Sequence, residues 1–270
     1  MSGPVGNPTP YAAVNEVLGA LLAGVQRILG PDLHGMYLYG SLALGDFTPH
    51  RSDIDAVVVT AGELTDAQTA ALQALHSDLA TRYVPWGSEL EVTYMPQRAL
   101  RRYDPADARY PSIQRGERLV VEAQDSSGVV QRHVLREHGI TLAGPPIREQ
   151  IDPVPPDDLR RAVLAMARGW LAGLRADPRP LRHQGYQGYV VMTICRMFYT
   201  LQFGTIVSKP AACRWARGVL GRRWAPLIDR ALAEDVGETV DMIAFALDRV
   251  RAYPEPGEPS PVDPQPPGPF

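Results

Sequence analysis

Two aspartates separated by one residue, Asp53 and Asp55, stand directly before a run of valines. Side chains two positions apart on a β-strand project from the same face, so the sequence predicts two neighbouring carboxylates, with Ile54 turned toward the core. Like charges this close are unfavourable unless a cation joins them. Paired oxygen donors suit magnesium, which keeps water and phosphate oxygens in its other coordination positions. We therefore predict a divalent-metal site at Asp53 and Asp55.

A glycine followed by a serine, Gly40 and Ser41, ends the preceding apolar strand. A strand that ends in this way and enters a helix exposes backbone N–H groups and a hydroxyl at the amino end of the helix. Phosphate oxygens are favoured there. The sequence thus predicts a phosphate-binding segment close to the metal site.

A third predicted strand carries two further acids, Glu89 and Glu91. If this strand lies beside the strand of Asp53, one of the two glutamates reaches the same cluster. Glu91 is the predicted general base, and Glu89 is predicted to contact the substrate. An isolated Asp-x-Asp is usually a solvated turn. The predicted site therefore depends on three segments following one another: the strand that ends in Gly-Ser, the strand that begins with Asp-x-Asp, and the strand with the two glutamates.

Helix and strand signals alternate through the first hundred residues. Helical periodicity covers Tyr11 to Leu29 and Thr65 to Tyr83, and strand patterns cover Leu33 to Tyr39, Asp53 to Thr60 and Glu89 to Met95. These segments predict an α+β unit with a small mixed sheet and flanking helices, and they place the acids on two of its strands.

Beyond about residue 128 the strand signals disappear and the sequence predicts helices only. The helical segments are Val129 to His138, Pro156 to Leu174, Gly188 to Phe203, Pro210 to Leu220, Trp224 to Glu234 and Glu238 to Tyr253. The proline-rich stretch from Gly144 to Pro156 predicts the junction. We expect the α+β domain over residues 1–150, an all-helical bundle over 151–253 and a disordered proline-rich tail over 254–270.

Composition narrows the classes of partner. The net charge is −3 and the pI is about 6.1, so the chain lacks the basic excess of a protein that coats nucleic acid, and no nucleic-acid partner is expected. The apolar stretches 56–61 and 189–203 are too short to span a membrane, and the amino terminus has no secretory signal. We expect a cytoplasmic location without a membrane partner. The oligomeric state is left open.

The motifs together resemble the nucleotidyltransferase superfamily, and the longer pattern is similar to the aminoglycoside adenylyltransferases that modify streptomycin and spectinomycin. In the first half this pattern comprises Tyr39-Gly40-Ser41, Pro49-His50, Ser52-Asp53-Ile54-Asp55 and Glu91-Val92-Thr93. In the second half it comprises Arg136-Glu137-His138, Leu142-Ala143-Gly144-Pro145, Asp152-Pro153-Val154-Pro155, Thr193 to Tyr199, Gly204 to Lys209 and Trp215-Ala216. The resemblance covers most of residues 35 to 216.

The resemblance implies a nucleotidyltransferase domain followed by the helical domain, and Mg²⁺-dependent transfer of AMP from ATP to a hydroxyl of a small aminoglycoside or aminocyclitol. The implied roles are metal binding by Asp53 and Asp55, triphosphate contact by Gly40 and Ser41, proton abstraction by Glu91, and binding of the nucleotide phosphates by Arg196 and Lys209. Spacing alone favours an ordinary surface position for Arg196. Lys209 is the only lysine in the sequence.

The acceptor is less well defined than the transfer of AMP. Residues 178–228 contain no acidic side chain, although polycationic drugs are bound by carboxylates. This charge pattern favours spectinomycin over the more highly charged streptomycin. Two alternatives stay open: a nucleotidyltransferase acting on a protein, a nucleic acid or another small molecule, and a non-catalytic nucleotide-binding module. Glu91 argues against the second, because binding alone needs no general base.

Overall fold

The computed structural model describes residues 7–49, 52–183, 185–232 and 239–254. The chain forms two compact units, Met1–Pro153 and Val154–Phe270. The first unit contains the sheet, and the described part of the second unit contains helices without a strand, so the α+β prediction is confirmed. Several predicted features lie outside the described residues: His50 of the family pattern, residues 233–234 and 238 of two predicted helices, and residues 255–270 of the predicted tail.

The first unit combines strands and helices along the chain. Its strands are β1 Leu33–Leu38, β2 Ile54–Thr60, β3 Leu90–Pro96, β4 Arg109–Ile113, β5 Val120–Ala123 and β6 Ile140–Ala143. Its α-helices are α1 Ala12–Leu29, α2 Gly40–Leu44, α3 Asp66–Arg82, α4 Gln97–Leu100, α5 Ser127–His138 and α6 Ile147–Gln150. The predicted boundaries of α1, β1, β2, α3 and β3 agree with these to within one residue.

The six strands form one mixed sheet in the order β5-β4-β3-β2-β1-β6. Only the central pair β2 and β3 is parallel, and the other neighbours are antiparallel. Helix α3 connects β2 to β3, and such a crossover is what a parallel pair requires. The consequence for the site is that the amino-terminal ends of β2 and β3 meet at one edge of the sheet.

Both faces of the sheet are covered beyond that edge. On one face Ala56 and Val58 of β2 are buried in a core that includes Leu18 of α1 and Leu72 of α3. On the opposite face Val57 and Val59 of β2 are buried with Tyr37 and Leu135. Because β2 is inaccessible on both faces after its first two residues, its acidic side chains are available only at its amino-terminal end.

Helix α1 is long and apolar enough to cross a membrane, and among the described residues it is the one helix that meets this criterion. Its apolar length was not among the stretches weighed above as possible membrane spans. In the structure its side chains Val14, Leu18 and Leu21 are buried in the core shared with the sheet. The apolar composition of α1 is therefore explained by its position in the core.

Three strands were missed by the sequence analysis. The prediction that only helices follow residue 128 is wrong for β6, whose residues Thr141 and Ile140 pair with Tyr37 and Leu38 of β1. A strand of four residues has too few positions to show alternation, and its stability comes from pairing with a strand about a hundred residues earlier. The hairpin of β4 and β5 was not predicted either, because β4 contains Pro111 and β5 is exposed throughout.

A buried arginine on α5, Arg132, fixes the segment that follows β3. Its guanidinium donates hydrogen bonds to the carbonyl oxygens of Ala99 at 2.6 Å, Gly128 at 2.9 Å and Leu100 at 3.2 Å. The guanidinium also lies over the ring of Tyr103, 5.6 Å from its centroid. Backbone carbonyls and an aromatic face thus replace the water that a buried cation loses.

Replacing Arg132 with methionine is expected to lower the free energy of unfolding by about 3 kcal/mol or more, because each buried carbonyl left without a donor costs about 1–3 kcal/mol. Urea unfolding followed by circular dichroism measures the loss. Arg82→Met is the control, since it removes an exposed arginine paired with Asp78 at 2.9 Å and is expected to cost no more than about 0.5 kcal/mol. Equal losses in the two variants would contradict the assignment.

The described part of the second unit consists of helices, with one 3₁₀ turn at Arg179–Arg182. The α-helices are α7 Pro156–Ala176, α8 Tyr186–Phe203, α9 Lys209–Val219, α10 Ala225–Leu232 and α11 Val240–Arg251. The hydroxyl of Ser208 caps α9 by accepting a hydrogen bond from the Ala211 N–H at 3.3 Å. Both cysteines, Cys195 on α8 and Cys213 on α9, are buried free thiols.

Candidate active site

The structure brings the predicted acids together at the amino-terminal edge of β2 and β3. Asp55 and Glu91 are direct partners in the parallel ladder, so their side chains project side by side from the same face of the sheet. Asp53 precedes β2 by one residue, and its side chain is 31% exposed, against 29% for that of Glu91. Three half-buried carboxylates therefore share one small region.

An arginine that the sequence analysis did not consider lies on these acids. Nη2 of Arg115 is 2.8 Å from Oδ1 of Asp53, and Nε is 3.4 Å from Oε1 of Glu91. The same Nε is 3.8 Å from Oε2 of Glu89, which places the predicted substrate-contact residue at the rim of the cluster. Arg115 lies in the connection between β4 and β5, so the hairpin supplies a counter-charge to the acids.

The environment of Glu91 gives its carboxyl the properties of a base that works near neutral pH. Its pKa is raised from the ordinary 4.5 to about 7, first by burial and then by the charges of Asp53 and Asp55 and a hydrogen bond with Asp53, while Arg115 acts to lower it. A group whose pKa lies near the working pH is an efficient proton acceptor, because it is available as base and binds the proton strongly enough. Burial and the neighbouring aspartates therefore favour Glu91 for this task.

Gly40 and Ser41 lie at the start of α2, against the acids. Gly40 has a φ of +63°, and a Cβ at this position would overlap the Oδ2 oxygen of Asp55. The hydroxyl oxygen of Ser41 is buried and has no hydrogen-bond partner among the described residues. A buried hydroxyl is normally paired, so Ser41 offers a hydrogen bond to a bound ligand at this place.

Behind the acids, side chains from β1 and α5 form a hydrogen-bonded chain. The N–H of Tyr39 donates to the carbonyl oxygen of Asp55 at 3.1 Å, and its hydroxyl is hydrogen-bonded to Gln131. Gln131 accepts from Gln124 at 2.9 Å, and Gln124 accepts from Arg132 at 3.2 Å. Burial raises the pKa of the Tyr39 hydroxyl, and the charge of Asp55 raises it further, so the hydroxyl stays protonated. The buried arginine of the fold thus supports the backbone at Asp55.

Substitution of Gly40 by alanine is expected to lower turnover by about 100-fold, because the added Cβ must displace the Asp55 carboxylate, and a shift of about 1 Å can have that effect. Gly45→Ala is the matched control. Gly45 has a φ of +74° and nothing within 4 Å of its Cβ position, so it carries a similar backbone cost without touching the acids. Thermal unfolding and initial rates separate the two effects: both variants lose stability, and only Gly40→Ala loses turnover. Equal turnover would contradict the close approach.

The two predicted nucleotide-binding residues of the helical unit lie on neighbouring helices. Arg196 is half-buried in the middle of α8, and Lys209 is the first residue of α9. Nζ of Lys209 lies 4.0 Å from the ring centroid of Tyr189, which stacks on Tyr186 at 5.7 Å. Tyr189 also meets the edge of Trp170 at 6.3 Å. The aromatic side chains on α7 and α8 thus form a surface cluster next to the lysine.

Both halves of the chain match family models. Residues 21–95 match the model described as "Nucleotidyltransferase domain", and residues 149–255 match "Aminoglycoside adenylyltransferase, C-terminal domain". An aminoglycoside (3'') (9) adenylyltransferase of Escherichia coli is 29% identical over 254 residues, which cover 90% of this chain and 92% of the relative. The chain belongs to the aminoglycoside adenylyltransferase family. It is therefore a nucleotidyltransferase, and the family resemblance inferred from the motifs is confirmed.

Other members of the aminoglycoside adenylyltransferase family show how far the likeness extends. A spectinomycin 9-adenylyltransferase of Campylobacter jejuni is 28% identical over 249 residues, covering 87% of this chain and 91% of the relative. The solved structure of a spectinomycin adenyltransferase from Enterococcus faecialis with ATP and spectinomycin matches with a TM-score of 0.70 and 18% identity. That match covers 87% of this chain and 98% of the other. The fold is therefore shared across the family.

Proposed function

We propose that this chain transfers AMP from ATP to a hydroxyl of an aminocyclitol antibiotic, with spectinomycin as the preferred acceptor and Mg²⁺ as the metal. The observation that carries the proposal is the direct pairing of Asp55 with Glu91 on adjacent strands, with Asp53 beside them. This arrangement puts two potential metal ligands next to a potential base. The proposed location is the cytoplasm, where ATP is available.

The acids fit a magnesium ion by their chemistry. Asp53 and Asp55 supply hard oxygen donors whose mutual repulsion a divalent cation relieves. Among the described residues no group of three or more His, Cys, Asp or Glu side chains is arranged to hold a metal. One or two carboxylates, completed by water and substrate phosphates, are what Mg²⁺ commonly uses. When bound there, Mg²⁺ would offset the charge of the triphosphate and of the α-phosphate during attack.

The proposed reaction is an in-line displacement at the α-phosphorus of ATP. Glu91 accepts the proton of the acceptor hydroxyl while the hydroxyl oxygen bonds to phosphorus, and the bond to the bridging oxygen breaks to release pyrophosphate. The proton is held on the Glu91 carboxyl until it exchanges with solvent. Tyr39 and Gly40 contribute by fixing the position of Asp55.

The residues proposed to bind the nucleotide phosphates are Gly40, Ser41, Arg196 and Lys209. Ser41 offers a buried hydroxyl without a partner in the described chain, and Gly40 allows the backbone to approach closely. Arg196 and Lys209 supply cationic donors from the helical unit. These assignments follow from the donor chemistry and from the family pattern.

Spectinomycin is the proposed acceptor because residues 178–228 lack acidic side chains. The names of the relatives include both aminoglycoside (3'') (9) and spectinomycin 9-adenylyltransferases. Streptomycin has more positive charge than spectinomycin and needs more carboxylates to bind. Glu89, at the rim of the acids, is proposed to contact the acceptor.

Pyrophosphate release tests the proposal. The purified chain is incubated with ATP, MgCl₂ and spectinomycin, and in parallel with streptomycin, with no antibiotic, or with EDTA. The proposal expects release with spectinomycin and Mg²⁺, less with streptomycin, and background levels in the other two reactions. Release without any antibiotic, together with AMP labelling of protein, would instead indicate a macromolecular acceptor.

A further inference from the structure

Arg115 is held on the acids by its backbone as well as by its side chain. Its N–H donates to the carbonyl oxygen of Leu90, at the first residue of β3, at 3.2 Å. The N–H of Leu119, farther along the same connection, donates to the side chain of Gln73 on α3 at 2.6 Å. The connection between β4 and β5 is therefore tied to the sheet at Arg115 and to α3 a few residues later.

The backbone at Arg115 adopts a conformation that an arginine does not favour. Its φ is +43°, and among the described residues it is the one non-glycine residue with a positive φ. Such a conformation costs on the order of 1 kcal/mol or more and persists where other contacts compensate for it. The ion pairs with Asp53 and Glu91 are the contacts that can do so. Loss of these ion pairs would leave the backbone hydrogen bond to Leu90 as the remaining contact that holds this conformation.

The guanidinium offsets the negative charge of the carboxylates, as a bound metal ion would. It is a single positive charge within 4 Å of three carboxylates, two of which are proposed to bind metal or accept a proton. More than half of the Arg115 side chain is exposed, so it has a path into solvent without crossing packed core. A second cation at Asp53 and Asp55 would be repelled by a guanidinium that stayed in place.

We propose that Arg115 is a displaceable counter-cation: it holds Asp53, Glu89 and Glu91 in the metal-free protein and must leave before a divalent cation binds to the acids. This inference rests on the proposed metal site at Asp53 and Asp55. Its consequence is that the free protein binds divalent cations weakly.

Titration with Mn²⁺ in the absence of nucleotide, with free Mn²⁺ read by electron paramagnetic resonance, tests the proposal without measuring activity. Arg115→Gln is expected to bind Mn²⁺ about 10-fold more tightly than the unchanged protein, a modest factor because the ion pairs are half-exposed. Arg115→Lys, which keeps the charge, is expected to lie closer to the unchanged protein. Arg118→Gln is the matched control, since it removes an exposed arginine from the same connection, and it is expected to leave the affinity unchanged.

Two further variants keep the outcome decisive. Arg115→Gly removes the guanidinium and also the cost of the positive φ, so it gives the same rise in affinity if Arg115→Gln folds poorly. Adding Asp55→Asn to Arg115→Gln is expected to abolish the gain in Mn²⁺ affinity. Equal Mn²⁺ affinities with and without Arg115, combined with loss of binding in Asp55→Asn, would overturn the role of Arg115 and leave the metal site intact. Unchanged binding in Asp55→Asn would overturn the metal site itself.

Discussion

Replacing Glu91 with glutamine is expected to lower the rate of AMP transfer by about 100- to 10,000-fold, the usual contribution of a positioned general base. Glutamine keeps the size of the side chain and removes its ability to accept a proton. ATP binding is expected to persist, because Glu91 is proposed to act on the acceptor hydroxyl. Single-turnover kinetics with saturating ATP and spectinomycin, together with a nucleotide-binding titration, measure both quantities.

The same substitution is expected to stabilise the metal-free protein at high pH. The folded-state pKa of Glu91 is about 7, above the ordinary 4.5, so the cost of ionising it in the fold appears as the pH rises from 4.5 through 7. Glu91→Gln should therefore raise the melting temperature in EDTA at pH 8 and change it little at pH 5. Glu122→Gln, on the exposed strand β5, is the control and is expected to change neither rate nor melting temperature.

Unaltered turnover in Glu91→Gln would exclude Glu91 as the general base. A melting temperature that rises equally at both pH values would show that the environment of Glu91 does not penalise its charge. Because the rate and the stability are expected to move in opposite directions, poor folding of the variant cannot imitate the combined result.

Substitution of Asp53 or Asp55 by asparagine is expected to lower turnover by about 1000-fold, because loss of a ligand charge removes several kcal/mol of metal-assisted stabilisation of the transition state. Asparagine keeps a neutral oxygen donor in place. The two variants are expected to differ in one respect, since Asp53 also pairs with Arg115 at 2.8 Å. Asp53→Asn should therefore weaken the hold on the β4–β5 connection in addition to the metal.

Initial rates across a Mg²⁺ titration measure this effect. Both variants should need more Mg²⁺ to reach a lower maximum, whereas Asp78→Asn, an exposed aspartate on α3 paired with Arg82, should behave as the unchanged protein. Full activity of Asp55→Asn at the usual Mg²⁺ concentration would exclude Asp55 as a metal ligand.

The sequence allowed prediction of the acids because their signals are local. Asp53 and Asp55 share a face through the two-residue period of β2, and the predicted helix between the second and third strands is the connection that a parallel pair needs. Gly40 and Ser41 were marked by the abrupt end of an apolar strand. Periodicity therefore identified both the segments and the side chains that they carry.

The remaining features depend on contacts between distant parts of the chain. Arg115 meets Asp53 across 62 residues of sequence, and no periodic pattern connects them. The pairing of β6 with β1 likewise joins distant segments, and Tyr39 and Gln131 come together only when α5 lies on the sheet. The position of Arg115 over the acids follows from the β3–β4 pairing.

The most direct test is to identify the antibiotic product by mass spectrometry after incubation of the chain with spectinomycin, ATP and Mg²⁺. The expected product is spectinomycin carrying one AMP, formed with one pyrophosphate per molecule, and almost none of it is expected with Glu91→Gln or Asp55→Asn. Unmodified spectinomycin in the presence of folded, ATP-bound protein would contradict the proposed function. Modified spectinomycin formed equally well by both variants would contradict the site at β2 and β3.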